Sequence, residues 1–312
     1  MTDPTRVDRA RGLLFGLALG DCLGASFEGK DGVTDDDIVR AEHATGPLSH
    51  TDDTALTLVL ARHLAHRRGA SNRGRDGVDT DVLARELAEA WKAEPWRGYG
   101  GGVTTSFRLI TEGTPWREAI RAVFPDGSYG NGGAMRVAPV ALAGGDVREV
   151  AELARRSAEV THAHADALHG AVCQAVATHL ALGLDATEPV RVATFVPPLR
   201  ECVRSALWHD KFALVAELAD SDVDPGQAAA ALGNDVSAPG SVPLALLSFL
   251  RHPGRPDAAI RFAIRAGGDT DTVAAMAGAL AGAHSGYAAL PAHAVSRLEA
   301  SRHLHLYAEH LA

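Results

Sequence analysis

Apolar side chains recur three and four residues apart along most of the chain. This spacing places them on one face of an α-helix, so it predicts a series of amphipathic helices. Long stretches of alternating apolar and polar residues, which are typical of half-buried strands, do not occur. We therefore predict an all-α fold. The clearest apolar sets are Leu56, Val59, Leu60 and Leu64; Leu83, Leu87 and Trp91; and Val172, Val176 and Leu180.

Three segments depart from this pattern. Val190 to Val196 has a strand-like density of branched residues and is followed at once by Pro197 and Pro198. Arg68 to Asp79 is rich in Gly, Arg and Asp, which predicts a surface loop. Ala274 to Gly286 consists mostly of small residues, which predicts a central helix whose backbone lies close to its neighbours.

The composition is that of a globular protein and narrows its class. Hydrophobic residues make up 46% of the chain and charged residues 22%, and no repeat or second core is visible, so we predict one domain over residues 1–312. No apolar run reaches the roughly 18 residues that a membrane span needs. The net charge of -9 argues against nonspecific binding to nucleic acid. Three cysteines without a CxxC pair indicate neither a zinc site nor a disulfide framework.

The N-terminal segment imitates a short secretory signal, because Arg6, Arg9 and Arg11 precede an apolar stretch. Asp21 lies directly before Cys22, at the position where signal cleavage requires a small residue. We therefore predict a first helix in this segment and a cytoplasmic protein.

Two acidic clusters of similar composition lie far apart in the chain. Thr51 to Thr54 opens one predicted helix and Gly267 to Thr272 opens another. Asp and Thr favour helix N-termini, so capping alone explains either cluster. One cap needs only one side chain, however, whereas each cluster has two carboxylates as well as hydroxyls. Such hard oxygen donors suit Mg²⁺ or Mn²⁺, and four carboxylates favour two cations over one.

Two glycine-rich segments, Gly98 to Gly102 and Gly127 to Arg136, are candidates for phosphate binding through backbone N–H groups. A tight turn explains their glycines about as well. Tyr129 is either an aromatic that stacks on a base or a surface aromatic. His162 and His164 are two residues apart, so as a pair they are poor ligands for a metal on one helix face.

Taken in chain order, these motifs resemble the ADP-ribosyl-acceptor hydrolases, the family that includes the dinitrogenase reductase-activating glycohydrolases. The resemblance extends from about Leu13 to Pro291. It implies an all-α orthogonal bundle with a central binuclear site for two Mg²⁺ ions, with Mn²⁺ as the alternative. The motifs that carry it are Gly20-Asp21-Cys22-Leu23-Gly24 with Glu28, Thr51-Asp52-Asp53-Thr54, Gly127 to Arg136, Thr161-His162, Leu232-Gly233-Asn234 with Ser241-Val242-Pro243, and Gly268 to Thr272.

The resemblance also implies roles for individual residues. Glu28, which composition alone would assign to the surface, matches the catalytic glutamate, which acts either on the leaving oxygen or on the attacking water. Tyr129 matches the aromatic that stacks on adenine, and His162 matches a ligand-contacting histidine. The diphosphate-binding loop is matched by Gly127, Ser128, Gly130 and Asn131, and the metal ligands are matched by Thr51, Asp52, Asp53, Asp269, Asp271 and Thr272.

Within the family, Arg97 to Val103 and Gly127 to Val137 are most similar to the branch that removes ADP-ribose from serine. The resemblance therefore implies a hydrolase of the glycosidic bond between ADP-ribose and an acceptor oxygen. The expected partners are ADP-ribosylated proteins, without a membrane, and a monomer is expected. Poly(ADP-ribose) and O-acetyl-ADP-ribose are expected as further substrates.

Two alternatives stand beside this interpretation. The first is an arginine-ADP-ribose hydrolase, which cleaves an N-glycosidic bond; Glu28 and Ser128-Tyr129 argue against it. The second is a noncatalytic ADP-ribose binder or a crystallin-like structural protein. The two intact acidic clusters argue against the second alternative.

Overall fold

The computed structural model describes residues 4–69 and 77–312. Within these residues the regular structure is helical, with two isolated β-bridges and no strand. The predicted all-α fold is thereby confirmed. The α-helices are α1 Pro4–Gly24, α2 Asp35–His43, α3 Asp52–Gly69, α4 Thr80–Ala93, α5 Gly101–Thr111, α6 Trp116–Val123, α7 Gly132–Met135, α8 Val140–Ala143, α9 Val147–Glu159, α10 Ala165–Gly183, α11 Val192–Cys202, α12 Ala206–Ala219, α13 Pro225–Leu232, α14 Ala238–Arg251, α15 Pro256–Arg265, α16 Thr270–Ser285, α17 Ala292–Val295 and α18 Ser301–Leu311.

Side chains that precede the helices explain where several of them begin. Thr34, Asp79, Asp146 and Asp224 each accept a hydrogen bond from the backbone N–H three residues further along the chain. Such N-caps satisfy donors that have no partner within the helix. The starts of α2, α4, α9 and α13 are therefore determined locally.

Helix α16 lies at the centre of the fold. Every residue from Thr270 to His284 is buried, and the helix packs against α1, α10, α14 and α15. A helix that is apolar on all sides is stable only when it is surrounded by other elements. The central helix predicted from the small residues is confirmed, and it begins earlier than they do, within the second acidic cluster.

Glycines hold α1 and α16 in direct backbone contact. A Cβ atom on Gly16 would lie 2.2 Å from the carbonyl oxygen of Gly278. Nearer the other end of the pair, a Cβ atom on Gly24 would lie 2.5 Å from the carbonyl oxygen of Thr270. Residue numbers rise along α1 as they fall along α16, so the two helices are antiparallel. The C-terminus of α1 therefore meets the N-terminus of α16.

The strand-like segment Val190 to Val196 is not a strand. Helix α11 begins at Val192 and continues through Pro197 and Pro198. Packing of one apolar face against the core outweighs the local preference of branched residues for extended backbone. The buried residues of that face are Phe195, Val196 and Leu199.

The loop predicted from Arg68 to Asp79 begins later than expected, because α3 continues to Gly69. Residues 70–76 lie outside the described part of the chain, and Asp79 caps α4. Among the described residues, none of the helices combines the length and apolar character that crossing a bilayer requires.

We expect Gly16→Ala to destabilise the fold strongly. Its methyl group would meet backbone atoms of α16 that no side-chain rotation can move, so the cost should reach or exceed the upper end of the roughly 1–3 kcal/mol typical of overpacking. Thermal unfolding should show Tm lowered by more than about 5 °C. Gly183→Ala, at a helical position with open space around it, is the matched control and should change Tm little. An unchanged Tm for Gly16→Ala would contradict the backbone contact.

Candidate active site

The antiparallel contact of α1 and α16 brings distant segments to one cleft of about 370 Å³. Helix α1 leads through a turn to the cleft, α3 and α16 begin at it, and the segment that leads into α7 also borders it. Both acidic clusters therefore border the same space. Of the site residues predicted from the sequence, those that line the cleft are Glu28, Thr51, Asp52, Asp53, Ser128, Gly130, Asn131, His162, Asp269, Asp271 and Thr272.

Two other predicted residues lie beside the cleft rather than in its lining. Gly127 has a φ of +87°, and a Cβ atom on it would lie 2.5 Å from the backbone nitrogen of His164, so this position requires glycine. Tyr129 is 59% exposed, and its ring meets His164 edge-on with ring centroids 6.0 Å apart. The ring of Tyr129 is therefore open to solvent. Its two chain neighbours, Ser128 and Gly130, line the cleft.

The two acidic clusters meet where α3 and α16 begin. The hydroxyl of Thr272 donates to Asp53 Oδ1 at 3.5 Å. Asp53 is buried, and its Oδ2 has no hydrogen-bond partner among the described residues. Burial, and then the charge of Asp271, raises the pKa of Asp53 well above its usual value, and burial raises the pKa of Asp52 to about 8. A buried carboxylate oxygen without a donor needs positive charge or a proton beside it.

Asp21, which the sequence analysis left without a role, caps α3 from a different helix. Its carboxylate accepts hydrogen bonds from the backbone N–H groups of Thr51 and Thr54 at 3.1 and 3.0 Å. It also accepts from their hydroxyls at 2.8 and 2.5 Å. Asp21 is fully buried, and it takes the capping role that Asp52 and Asp53 would otherwise fill. The available sequence signal was a single acidic residue within the apolar C-terminal part of the first helix, from Gly12 to Gly24.

At the start of α16, Asp271 Oδ1 accepts from the backbone N–H of Thr272 at 2.9 Å, whereas Asp269 does not serve as a cap. Asp269 occupies the N-cap position but makes no capping bond, and its Oδ2 instead accepts from the Asn131 amide at 2.6 Å. Carboxylate oxygens of Glu28, Asp269 and Asp271 lie within 4.8 Å of one another. Burial, and then Asp269, raises the pKa of Asp271 to about 7, and the charge of Asp271 raises the pKa of Glu28. Such a group of oxygen donors is what a hard divalent cation binds.

The loop that leads into α7 offers backbone donors. The N–H groups of Ser128 and Tyr129 donate to no group within the described residues. The next two N–H groups are occupied, because Gly130 donates to the Ser128 hydroxyl at 3.2 Å and Asn131 donates to the carbonyl of Val236 at 2.9 Å. Unpaired N–H groups in a glycine-rich turn are suited to anionic oxygens.

The second glycine-rich segment is divided between the cleft and the core. Gly98, Gly100 and Gly102 line the cleft, whereas Tyr99 packs edge-on against Phe107 with ring centroids 6.3 Å apart. The segment is tied to the first acidic cluster, because the Asp52 N–H donates to the carbonyl of Arg97 at 2.8 Å. Its glycines therefore border the acidic end of the cleft.

Comparison with known proteins identifies the class to which this chain belongs. The model of the ADP-ribosylglycohydrolase family matches residues 2–312. ADP-ribosylhydrolase ARH3 of Mus musculus is 36% identical over an alignment that covers 91% of this chain and 86% of that protein. ADP-ribosyl-[dinitrogen reductase] glycohydrolase of Rhodospirillum rubrum is 28% identical, with 96% and 93% covered.

A solved structure described as an ADP-ribosylglycohydrolase-related protein complex superposes with a TM-score of 0.73 at 28% identity, and the match covers 98% of this chain and 97% of that one. The chain belongs to the ADP-ribosylglycohydrolase family, and it is a hydrolase of a metal-dependent class. The family expected from the motifs is confirmed.

We expect Asp21→Asn to weaken both the fold and the activity. The amide places an NH₂ group where protein donors converge, so at least one N–H of Thr51 or Thr54 loses its acceptor, at a cost of about 1–3 kcal/mol. Thermal unfolding should show Tm lowered by about 2 °C or more, and release of ADP-ribose should slow because the first acidic cluster shifts. Asp222→Asn, at an exposed position, is the control. Wild-type Tm and rate for Asp21→Asn would contradict the capping role.

Proposed function

We propose that this protein hydrolyses the bond between ADP-ribose and the side-chain oxygen of serine on ADP-ribosylated proteins. The observation that carries the proposal is the exposed carboxyl group of Glu28 beside Asp269 and Asp271 in the cleft. Relatives called ADP-ribosylhydrolase ARH3 support the substrate class. The similarity of Arg97 to Val103 and of Gly127 to Val137 to the serine-specific branch supports the acceptor. Poly(ADP-ribose) and O-acetyl-ADP-ribose, which also join the anomeric carbon to oxygen, are proposed as further substrates.

Six residues are proposed to hold two Mg²⁺ ions, with Mn²⁺ as the alternative. The unpartnered Oδ2 atom of Asp53 supports this assignment, because that buried oxygen requires a positive partner. The hard oxygen character of the donor set suits these ions. When bound, the ions would stabilise charge and orient the ribose hydroxyls at the scissile bond. The proposed ligands are Thr51, Asp52, Asp53, Asp269, Asp271 and Thr272.

The chain's own residues are proposed to bind and orient the rest of the substrate. The unpaired N–H groups of Ser128 and Tyr129, in the loop with Gly127, Gly130 and Asn131, bind the diphosphate. The exposed ring of Tyr129 stacks on adenine. Fixing both ends of the substrate holds the anomeric carbon in one orientation, which lowers the entropic part of the barrier.

Glu28 is proposed as the catalytic residue. Hydrolysis places the hydroxyl of water on the anomeric carbon and a proton on the departing serine oxygen. The carboxyl group of Glu28 acts in this proton transfer, either at the leaving oxygen or at the attacking water. It is exposed at the cleft, so the acceptor side chain can reach it.

We propose further that the protein is a single-domain monomer of the cytoplasm. The three cysteines form no disulfide with one another, which supports a reducing compartment. Its macromolecular partners are ADP-ribosylated proteins.

The proposed function is tested by comparing serine-linked and arginine-linked ADP-ribosylated peptides. We expect Mg²⁺-dependent release of ADP-ribose from the serine-linked peptide, loss of this release with a chelator, and release at least about tenfold slower from the arginine-linked peptide. Chromatography of free ADP-ribose measures each rate. Arginine-selective release would contradict the proposed acceptor. Binding of ADP-ribose without release from either peptide would contradict the proposed reaction.

We expect Glu28→Gln to lose turnover but to keep ligand binding. Glutamine has nearly the same size but cannot transfer a proton, so turnover should fall by about 10²–10⁴-fold. Affinity for ADP-ribose in the presence of Mg²⁺, measured by calorimetry, should stay close to that of the wild type. Asp31→Asn, on the same exposed segment, is the matched control for turnover. Retained turnover in Glu28→Gln would remove this residue from the catalytic role.

A further inference from the structure

A fully buried arginine without an acidic partner lies behind the glycine-rich loop. Arg136, directly after α7, lines the cleft, and within the described residues no carboxylate forms a salt bridge with it. Its guanidinium donates to the carbonyl of Gly132 at 2.6 Å, to the carbonyl of Ser157 at 3.0 Å and to the hydroxyl of Thr161 at 2.7 Å. Its Nε atom is buried without a hydrogen-bond partner.

Burial of the Arg136 charge destabilises the fold, so stability does not explain why this arginine is present. A charge that is buried without a counter-ion destabilises a fold. Burial lowers the pKa of Arg136 only to about 10, so the guanidinium stays charged at neutral pH. The protein therefore keeps a positive charge beside a cleft that is otherwise acidic. A ligand with anionic oxygens would offset that charge.

The same guanidinium determines how the neighbouring hydroxyl is oriented. Arginine can only donate hydrogen bonds, so the oxygen of Thr161 accepts from Arg136. The single hydroxyl proton of Thr161 then has two candidate acceptors, His162 Nδ1 at 2.8 Å and the carbonyl of Ala158 at 3.4 Å. The shorter contact is the stronger hydrogen bond, so the hydroxyl donates to His162 Nδ1.

This bond determines which nitrogen of His162 carries the proton. Burial, and then the charge of Arg136, lowers the pKa of His162 to about 3, so the imidazole is neutral at physiological pH. A neutral imidazole has one donor and one acceptor nitrogen. Because Nδ1 accepts from Thr161, the proton lies on Nε2.

The protonated nitrogen of His162 lies against the loop. Nε2 would be 3.3 Å from a Cβ atom on Gly130 and 2.9 Å from one on Gly132, and both glycines line the cleft. An N–H donor at this place suits an anionic oxygen held by the loop. The opposite tautomer would present a lone pair there and would repel the same oxygen.

We propose that Arg136 and Thr161 are positioning residues that fix His162 as a neutral Nε2–H donor to an anionic oxygen of the ADP-ribose diphosphate. This proposal rests on the proposed function, which supplies the ligand. The order of donation runs from Arg136 through Thr161 to His162, because arginine can only donate and the shorter contact of the Thr161 hydroxyl is the one to His162 Nδ1. Arg136 also supplies the positive charge that the diphosphate needs, without itself occupying the cleft.

The test combines the tautomer of His162 with ligand affinity in two hydroxyl variants. Thr161→Val keeps the shape of the side chain but removes the donor to Nδ1, whereas Thr161→Ser keeps the donor. ¹⁵N spectra of histidine-labelled protein report which ring nitrogen is protonated, and the spectrum of His162→Gln identifies the signals. Calorimetry with ADP-ribose in the presence of Mg²⁺ reports affinity.

We expect the wild type and Thr161→Ser to show the Nε2–H tautomer without ligand. Thr161→Val should show a mixture of tautomers and bind ADP-ribose about tenfold more weakly or worse, whereas Thr161→Ser should bind as the wild type does. An Nε2–H tautomer with wild-type affinity in Thr161→Val would overturn the proposal. An Nδ1–H tautomer in the wild type would overturn it even if Thr161→Val does not fold.

Failure of this proposal is distinguishable from failure of the proposed function. The tautomer is measured without ligand, so it tests the order of donation whatever the substrate is. If the tautomers behave as expected but the wild type does not bind ADP-ribose, the diphosphate is not the ligand of His162, and the proposal is overturned at that step. Release of ADP-ribose from peptides tests the reaction separately.

Discussion

Backbone contact between α1 and α16 determines the architecture of the site. A Cβ atom on Gly12 would lie 2.2 Å from the carbonyl oxygen of Gly282, and contacts as close recur along both helices, so no larger residue fits between them. A shift of one residue would rotate each helix by about 100° and drive larger side chains into the contact. The register is therefore fixed, and with it the relative position of Asp21 near the end of α1 and Asp271 at the start of α16. These glycines therefore influence the active site only by fixing the relative position of α1 and α16.

This contact creates an electrostatic problem, because it brings carboxylates together in a buried place. Two of these carboxylates make no capping bond at their own helix: Asp21 caps α3 in place of Asp53, and Asp269 accepts from the Asn131 amide instead of capping α16. Asp53 is left with a buried oxygen that nothing in the described chain satisfies. Because Asp53 and Asp269 do not cap their helices, their carboxylates are available to bind cations, and in this the cleft differs from an ordinary pair of helix caps.

Much of the fold and the acidic part of the site could be predicted from the sequence, because both depend on local patterns. Helical spacing and the small residues of α16 are local signals, and so are the doubled carboxylates of Thr51 to Thr54. The roles of Asp21 and Arg136 were not predictable, since each depends on partners that lie far away in the chain or on burial that composition does not reveal. Val190 to Val196 shows the reverse error, in which a local preference for extended backbone is overridden by packing.

Negative and positive charges border different parts of the cleft, and the side chain of Asn131 connects these two parts. The acidic clusters border one part, and Arg136 lies behind the loop that borders another. Asn131 belongs to that loop, yet its amide donates to Asp269 Oδ2 at 2.6 Å and to the hydroxyl of Ser241 at 3.1 Å. A displacement of the loop would therefore also disturb the second acidic cluster. Under the proposed function, a ligand with a diphosphate and a hydroxyl-rich distal ribose would bind with the diphosphate toward Arg136 and the distal ribose toward the acidic clusters and Glu28, because opposite charges attract.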